Sequence, residues 1–559
     1  MANRHIRDEK KDGIKKGYHP KRVEKPEEGR AVRVGSINDG KWYIPTDQTA
    51  KDIGSFSFNK PIGQKGVIRY GVSNVHGNQS GEVNTPGLAV IRLAHAIGVA
   101  HDDHDAVNVL AKNIYSYIRH ANSGHSNYDA PDLIMYLMGS ADAYSGYAWM
   151  CRLYGTLNLY NSKNRYLPKG LIRAMNVDFD DMIAHLNDLR TYINVVALRL
   201  SSLYIPDTMP YFTRRFWLYS NVYADSSDPK AQLYMFNPAY FWRFDATAES
   251  TGSSLQPVFV DNTTATYNGA PAVTAITYSD LISIMNSLLD PLIGDEDIGI
   301  MAGDILKAYG PSHMLKVSQI PENYVVLPTY NEEVLSQIHN ARFADHFWDL
   351  SSCRVVQNAA KTITEEKWID CGASNFSLGT LSKKFSHDMY LNMHTADVTP
   401  EQVLVSTRLQ WDCSGEAIAQ TYQTVSHEIC RITTCGTEVP LTIAVYEFGI
   451  GTVPNYTPAD LQREQIVCDS LALQLTSPVT GTVSGSLSNV WSLACVSQFD
   501  WFPLIYALRV VDTGSSGTDN VDYMYVIGDV DNYRIMTYED IKNLHTGALF
   551  GMFAIPQKI

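Results

Sequence analysis

Residues 178–203 read DFDDMIAHLNDLRTYINVVALRLSSL, and this run decides the class of the fold. Apolar residues return at helical spacing throughout, and acids crowd its first turn, where the helix macrodipole favours negative charge. Pro206 and Pro210 follow and predict its end. Working back towards the N-terminus, Val107, Val109, Leu110, Ile114 and Ile118 repeat the same spacing, as do Val90, Leu93, Ala94 and Ile97. Pro131 just inside the start of Asp132-Leu-Ile-Met-Tyr-Leu-Met predicts another helix there. The span from Pro86 to about Tyr204 is therefore predicted to be helical.

Towards the C-terminus the texture changes twice. Residues 212–278 are aromatic and read as loop-rich, with Thr247 to Gly269 full of Ser, Thr, Gly and Asn. Helical pattern returns at Asp280-Leu-Ile-Ser-Ile-Met-Asn-Ser-Leu-Leu and at Asp297 to Ala308. After about residue 400, β-branched runs separated by turns predict strands. Four such runs are Gln402-Val-Leu-Val-Ser-Thr, Leu441-Thr-Ile-Ala-Val-Tyr-Glu-Phe, Tyr506-Ala-Leu-Arg-Val-Val and Tyr523-Met-Tyr-Val-Ile. The predicted fold is mainly α-helical with a mixed α+β C-terminal part. Its divisions are an extended charged arm (1–60), a helix-rich domain (61–211), an aromatic loop-rich region (212–278), a helical region (279–400) and a mixed α/β region (401–559).

Composition narrows the function. The 559 residues are 45% hydrophobic and 19% charged, enough for large cores and too apolar for global disorder. Apolar stretches are broken by Arg, Asp or His before a membrane span is complete, and the polar start lacks a secretory apolar segment, which predicts a soluble protein. Eight cysteines, none in a C-x-x-C pair, read as reduced core thiols and not as disulfides or a zinc site. The net charge of −14 argues against a body that grips nucleic acid electrostatically. Residues 1–30 differ: ten Lys or Arg against six acids give the arm +4 and leave −18 for the rest. Arg4, Arg7, Lys10, Lys11, Lys15, Lys16, Lys21 and Arg22 are the candidates for weak nucleic-acid contact.

Catalytic strings are few. Asp512-Thr513-Gly514-Ser515-Ser516 follows an apolar run and looks like an aspartic-protease loop, whose chemistry needs a second carboxylate about 3 Å away. No second Asp-Thr-Gly occurs, so only a homodimer could supply it, and the string is also good turn composition. His95 and the cluster His101-Asp102-Asp103-His104-Asp105 could suggest a metallo-phosphohydrolase, yet Asp before a helical run is an ordinary cap. His427-Glu428 lacks the second His of a zinc protease. Phosphate-binding glycine loops, a serine nucleophile elbow and a polymerase Gly-Asp-Asp are absent. The reading is of a protein that is no enzyme and needs neither cofactor, metal nor small-molecule substrate. The 33 Tyr, 18 Phe and 9 Trp, concentrated around 211–244, suit an ordinary core residue by residue and extensive interfaces as a population.

Two segments carry a family likeness: Phe216 to Asp245, FWLYSNVYADSSDPKAQLYMFNPAYFWRFD, and Asp295 to Ala341, DEDIGIMAGDILKAYGPSHMLKVSQIPENYVVLPTYNEEVLSQIHNA. Both resemble segments of picobirnavirus capsid proteins, whose length, charged arm and helix-rich middle are also similar. The resemblance implies a viral shell subunit with a projecting region, forming intertwined dimers that close into an icosahedral capsid around double-stranded RNA. It implies a virion location after assembly in the host cytoplasm, an arm that serves dimer exchange or RNA contact, and in some members loss of an N-terminal peptide. At +4 the arm departs from a strongly basic one, so any RNA binding through it is weak and non-specific. The alternatives are a dimeric aspartic-type protease through Asp512, a metallo-phosphohydrolase through residues 101–105, and a non-viral scaffold or adaptor.

Overall fold

The computed structural model describes residues 46–54, 66–70, 79–83, 87–95, 104–124, 128–159, 167–227, 231–249, 252–260, 275–343, 355–357, 369–370, 375–376, 389–395, 397–414, 428–429, 431–434, 437–448, 461–466, 473–476, 497–511, 520–527 and 532–556. The chain divides into two units, 1–59 and 60–559. In the first, Asp47–Gly54 forms helix α1. Everything below concerns the second.

Its axis is α3 (Ala130–Leu157), 28 residues long and buried on every side. A helix that is apolar all round has no solvent face, so it must be wrapped by other elements. The wrapping comes from α2 (Ala106–Ala121), α4 (Leu167–Ala174), α6 (Leu186–Leu200), α7 (Pro210–Ser220), α8 (Tyr278–Gly294) and α9 (Glu296–Tyr309). The stretch 178–203 is helical as expected, in two pieces: α5 (Phe179–Ala184), capped by Asp178 accepting from the Asp181 N–H at 2.9 Å, and α6. Pro210 does not merely end helical structure. It is the first residue of α7, in the first turn, where no intrahelical bond needs its missing N–H. The helices expected near 107–118, 132, 280 and 297 are α2, α3, α8 and α9.

Against this bundle lies a six-stranded sheet. With β1 (Gly66–Tyr70) and β2 (Gln79–Val83) pairing separately, the sheet starts at β3 (Leu88–His95). It continues with β4 (Tyr223–Ala224), β5 (Leu233–Pro238) and, beyond the hairpin of β6 (Tyr240–Glu249) and β7 (Gly252–Phe259), β8 (Thr329–Tyr330). The other strands, in chain order, are β9 (Val356–Gln357), β10 (Ile369–Asp370), β11 (Asn375–Phe376), β12 (Met389–Asn392), β13 (Trp411–Ser414), β14 (Glu428–Ile429), β15 (Arg431–Thr434), β16 (Glu438–Phe448), β17 (Leu461–Ile466), β18 (Leu473–Thr476), β19 (Ile505–Val511), β20 (Asn520–Ile527) and β21 (Tyr533–Met536). The order across the main sheet is β17-β16-β3-β5-β4-β8, with β3 parallel to β5 and antiparallel to β16. Two further helices, α10 (Glu332–His339) and α11 (Pro400–Ser406), precede the C-terminal α12 (Tyr538–Met552).

Three expectations are corrected. Val90 to His95 is strand, not helix: as a central strand, β3 is buried almost throughout, so its sequence is a continuous apolar run in which helical spacing can be found by chance. The aromatic stretch 212–278, read as loop-rich, carries the body of α7 and strands β4 to β7 in its described part. Gln402-Val-Leu-Val-Ser is α11, not strand. A capping box between Thr399 and Gln402, with Pro400 in the first turn, overrides the β-branched composition. The strands expected at 441–448, 506–511 and 523–527 lie within β16, β19 and β20.

Residues 315–330 form an extended strap along α3. Tyr147 and Tyr154, two turns apart on α3, donate their hydroxyls to the carbonyls of Ser318 (2.5 Å) and Glu322 (2.9 Å). The Val326 N–H donates to the Gly155 carbonyl at 3.1 Å. Contact this close requires glycine: a Cβ at 155 would sit 2.6 Å from Val326 Cγ2 and 2.8 Å from its backbone nitrogen.

Candidate functional site

Within α3, Asp142 interrupts a run of apolar side chains and is fully buried. A carboxylate in such a place must be paired, because stripping its hydration costs several kcal/mol. Its Oδ1 accepts from Arg215 Nη1 of α7 at 2.5 Å. Its Oδ2 accepts from His95 Nδ1 at the end of β3 (2.8 Å) and from the Trp242 backbone N–H of β6 (2.7 Å). Arg215 reaches on to Glu438 at the start of β16 (Nε to Oε1, 3.8 Å) and lies 4.4 Å over the Tyr211 ring. Arg214 donates to the second Glu438 oxygen at 3.2 Å. One buried carboxylate thus ties α3 to β3, β6 and α7, and through Arg215 to β16.

The protonation pattern follows from the partners. A carboxylate only accepts, so His95 carries its proton on Nδ1, and Nε2 accepts from the Tyr219 hydroxyl at 2.6 Å. Burial lowers the His95 pKa and outweighs the pull of Asp142, which keeps the ring neutral. Burial alone would raise the Asp142 pKa, but His95 and Arg215 outweigh it and hold the carboxyl below its usual range. Tyr219 is raised well above the ordinary phenol, chiefly by burial, and stays an O–H donor. Tyr240 and Trp242 side chains then donate to the His95 carbonyl at 2.9 and 3.1 Å. At Thr437, before β16, the backbone takes φ of 63°, strained for a β-branched residue, and Arg215 Nη2 donates to its hydroxyl at 3.3 Å.

An aspartate, histidine and hydroxyl in series resemble a nucleophilic relay, yet His95, Asp142, Arg215, Tyr219 and Glu438 are all 0% exposed. No substrate reaches a relay closed on every side. The chemistry available to this arrangement is cross-linking of the body.

The sequence-derived candidates fall elsewhere. Arg4, Arg7, Lys10, Lys11, Lys15, Lys16, Lys21 and Arg22 lie outside the described residues, as do Asp512 to Ser516, His101 to Asp103 and His427. His104 and Asp105 form the turn before α2, with Asp105 at the N-cap, while His95 belongs to the buried network. Cys151 is a free, buried thiol, its pKa pushed up to about 12 by burial. Most of the aromatic concentration around 211–244 is core: Tyr211, Phe212, Tyr219, Tyr223, Tyr234, Phe236, Tyr240, Phe241 and Trp242 are all buried within the chain, while Trp217 is exposed. No group of three or more metal-ligating side chains occurs among the described residues, and none of their helices is long and apolar enough to cross a membrane. The network itself was missed, although its signal, Asp142 in the middle of an apolar helix of 28 residues and beyond its first turn, is present in the sequence.

Comparison with known proteins supplies what the geometry alone does not. The sequence model of the family described as Picobirnavirus, Capsid protein, matches residues 42–518. The chain belongs to the picobirnavirus capsid protein family. It is 26% identical over 570 residues to the capsid protein precursor of Human picobirnavirus (strain Human/Thailand/Hy005102/-), covering 99% of this chain and 97% of that protein. It also shares its fold with the crystal structure of the picobirnavirus capsid, at a TM-score of 0.72 and 21% identity over 92% of this chain and 98% of the other. The chain is thus a structural protein of a double-stranded RNA virus capsid, with the virion as its place, and its α-rich body with an α+β C-terminal part is the picobirnavirus capsid fold.

Proposed function

We propose that this capsid protein self-assembles, first as dimers and then as an icosahedral shell enclosing double-stranded RNA, and that it catalyses no reaction. The observation that carries this reading is apolar surface left on an otherwise well-packed chain. Leu198 is 60% exposed and Leu327 is 63% exposed. Val195 accompanies Leu198 one turn earlier on α6, and Asn194 bonds the strap backbone at Ile320 (2.8 Å), so strap and α6 run side by side. Trp217, Val325 and Tyr330 add exposed apolar groups, and Tyr533 and Ile535 share the outward face of β21. Large side chains exposed in sets suit burial against further copies.

On this reading α6 and the arm serve the intra-dimer contact, while 212–278 and 401–559 provide inter-dimer or projecting surface. The arm residues Arg4 to Arg22 touch RNA weakly, because +4 neutralises few phosphates. Assembly takes place in the host cytoplasm. Sedimentation velocity with nuclease protection tests the proposal. A fast boundary carrying nuclease-resistant double-stranded RNA supports it, and a slow boundary at every concentration overturns it.

A further inference from the structure

A cavity of about 50 Å³ lies between the main sheet and α3, lined among others by Arg92 on β3, Trp149 on α3, Asn176 after α4, Asn237 on β5, and Thr442 and Tyr446 on β16. A water-sized group needs roughly 10–15 Å³ of such space, so the cavity has room for a tetrahedral ion. The polar character of its wall is one-sided. Trp149 is 1% exposed, and its indole N–H has no hydrogen-bond partner among the described residues. The buried amide nitrogen of Asn176 has none either. Both are N–H donors, Arg92 adds a guanidinium to the wall, and no Asp or Glu lines the cavity among the described residues.

A second observation points the same way. Arg152, one turn from Trp149 on α3, is 0% exposed and forms no ion pair with a carboxylate among the described residues. It donates to Asn237 Oδ1 at 2.8 Å and to the Asn221 carbonyl at 3.4 Å, and its Nε has no partner among those residues. Asn237 also lines the cavity, and its amide nitrogen is committed to the Ala174 carbonyl at 2.8 Å. Buried positive charge therefore stands one side chain behind a wall that presents the unmatched N–H groups of Trp149 and Asn176. Burial pulls the Arg152 pKa down to about 9, as expected for a guanidinium lacking a nearby anion.

We propose that this cavity binds a small oxyanion of the phosphate or sulfate class, held by the N–H groups of Trp149 and Asn176 and by Arg92. A cation would find only neutral amide and hydroxyl oxygens there, beside the Arg92 guanidinium and with Arg152 one side chain behind, a setting that disfavours positive charge. A neutral water would satisfy the donors but leave the buried arginine charge unbalanced. The site belongs to the single chain, so it stands or falls independently of shell formation.

The test is isothermal titration of the full chain with inorganic phosphate, in a buffer whose own anion is too bulky to enter. The expected result is one site per chain in the wild type and about tenfold weaker binding in Trp149→Phe, which keeps the ring and removes the donor. Asn176→Asp brings its own carboxylate to the wall and is expected to abolish phosphate binding. It also raises the melting temperature in phosphate-free buffer. Phosphate stabilises many proteins non-specifically, so the comparison between variants is decisive. No phosphate heat in the wild type, or equal affinity in all three proteins, overturns the proposal, and the wild-type titration decides even where a variant does not fold. Sulfate, the other tetrahedral oxyanion of this size, is expected to displace bound phosphate.

Discussion

Replacing Asp142 by Asn preserves the volume of the side chain and removes its charge. Three donors converge on the two carboxylate oxygens: Arg215 Nη1 on one, His95 Nδ1 and the Trp242 N–H on the other. An amide offers one acceptor oxygen and one NH₂ group. In one orientation the NH₂ faces Arg215, and in the other it faces His95 and Trp242, so no rotamer satisfies all three. Arg215 then keeps only Glu438, at 3.8 Å, as a charged partner in a place with no water. Breaking one side of a buried ion pair costs about 3–5 kcal/mol, equivalent to a factor of roughly a hundred to a few thousand in the folded-to-unfolded ratio. Guanidinium denaturation of the unassembled chain, followed by tryptophan fluorescence, should show that loss as a lower midpoint. Glu438→Gln should lose less, because its contact to Arg214 is longer (3.2 Å) and that arginine is partly exposed. If Asp142→Asn stays within about 1 kcal/mol of the wild type, the claim that this carboxylate cross-links the body is wrong.

Gly155→Ala should destabilise the chain by about 1–3 kcal/mol and open the strap to protease, because the new methyl meets the Val326 backbone. Gly146→Ala should cost less in the same denaturation assay, since the atom in its way is the Met285 sulfur, the far part of a flexible side chain. Acidification should weaken the fold through His339, whose pKa is pushed down to about 4 by burial and then by His394. The unfolded chain binds a proton near pH 6.5 that the folded chain refuses, so stability falls from about pH 6.5 to about pH 4 and is constant above that window; His339→Gln should flatten the profile there by at most about 3 kcal/mol. Leu198→Asp and Leu327→Asp should leave the melting temperature of the unassembled chain within about a degree or two while abolishing fast-sedimenting particles, because both side chains are mostly exposed.

Amphipathic helices were the readable part of this sequence. The apolar stripe of α2 and the acids at the starts of α5, α8 and α9 follow local rules that a single chain displays directly. Strand β3 was misread for the opposite reason. Buried on both faces, it has no polar alternation to mark it, and its neighbours β5 and β16 come from positions far along the chain. Helix α11 illustrates the reverse error: Val403 and Val405 suggest a strand until the Thr399–Gln402 box is weighed. The network of Asp142, His95, Arg215 and Glu438 joins residues more than 300 positions apart at its extremes, His95 to Glu438, so spacing could not reveal it. Asp142, mid-way along an apolar helix, could have raised the question of its partners, although not named them.

The central claim is that this chain builds a closed shell from copies of itself. Negative-stain electron microscopy of the protein expressed alone and purified by size exclusion tests it most directly. The account predicts uniform closed spheres eluting ahead of any small oligomer. A monomer or isolated dimer that persists across salt and concentration would contradict it.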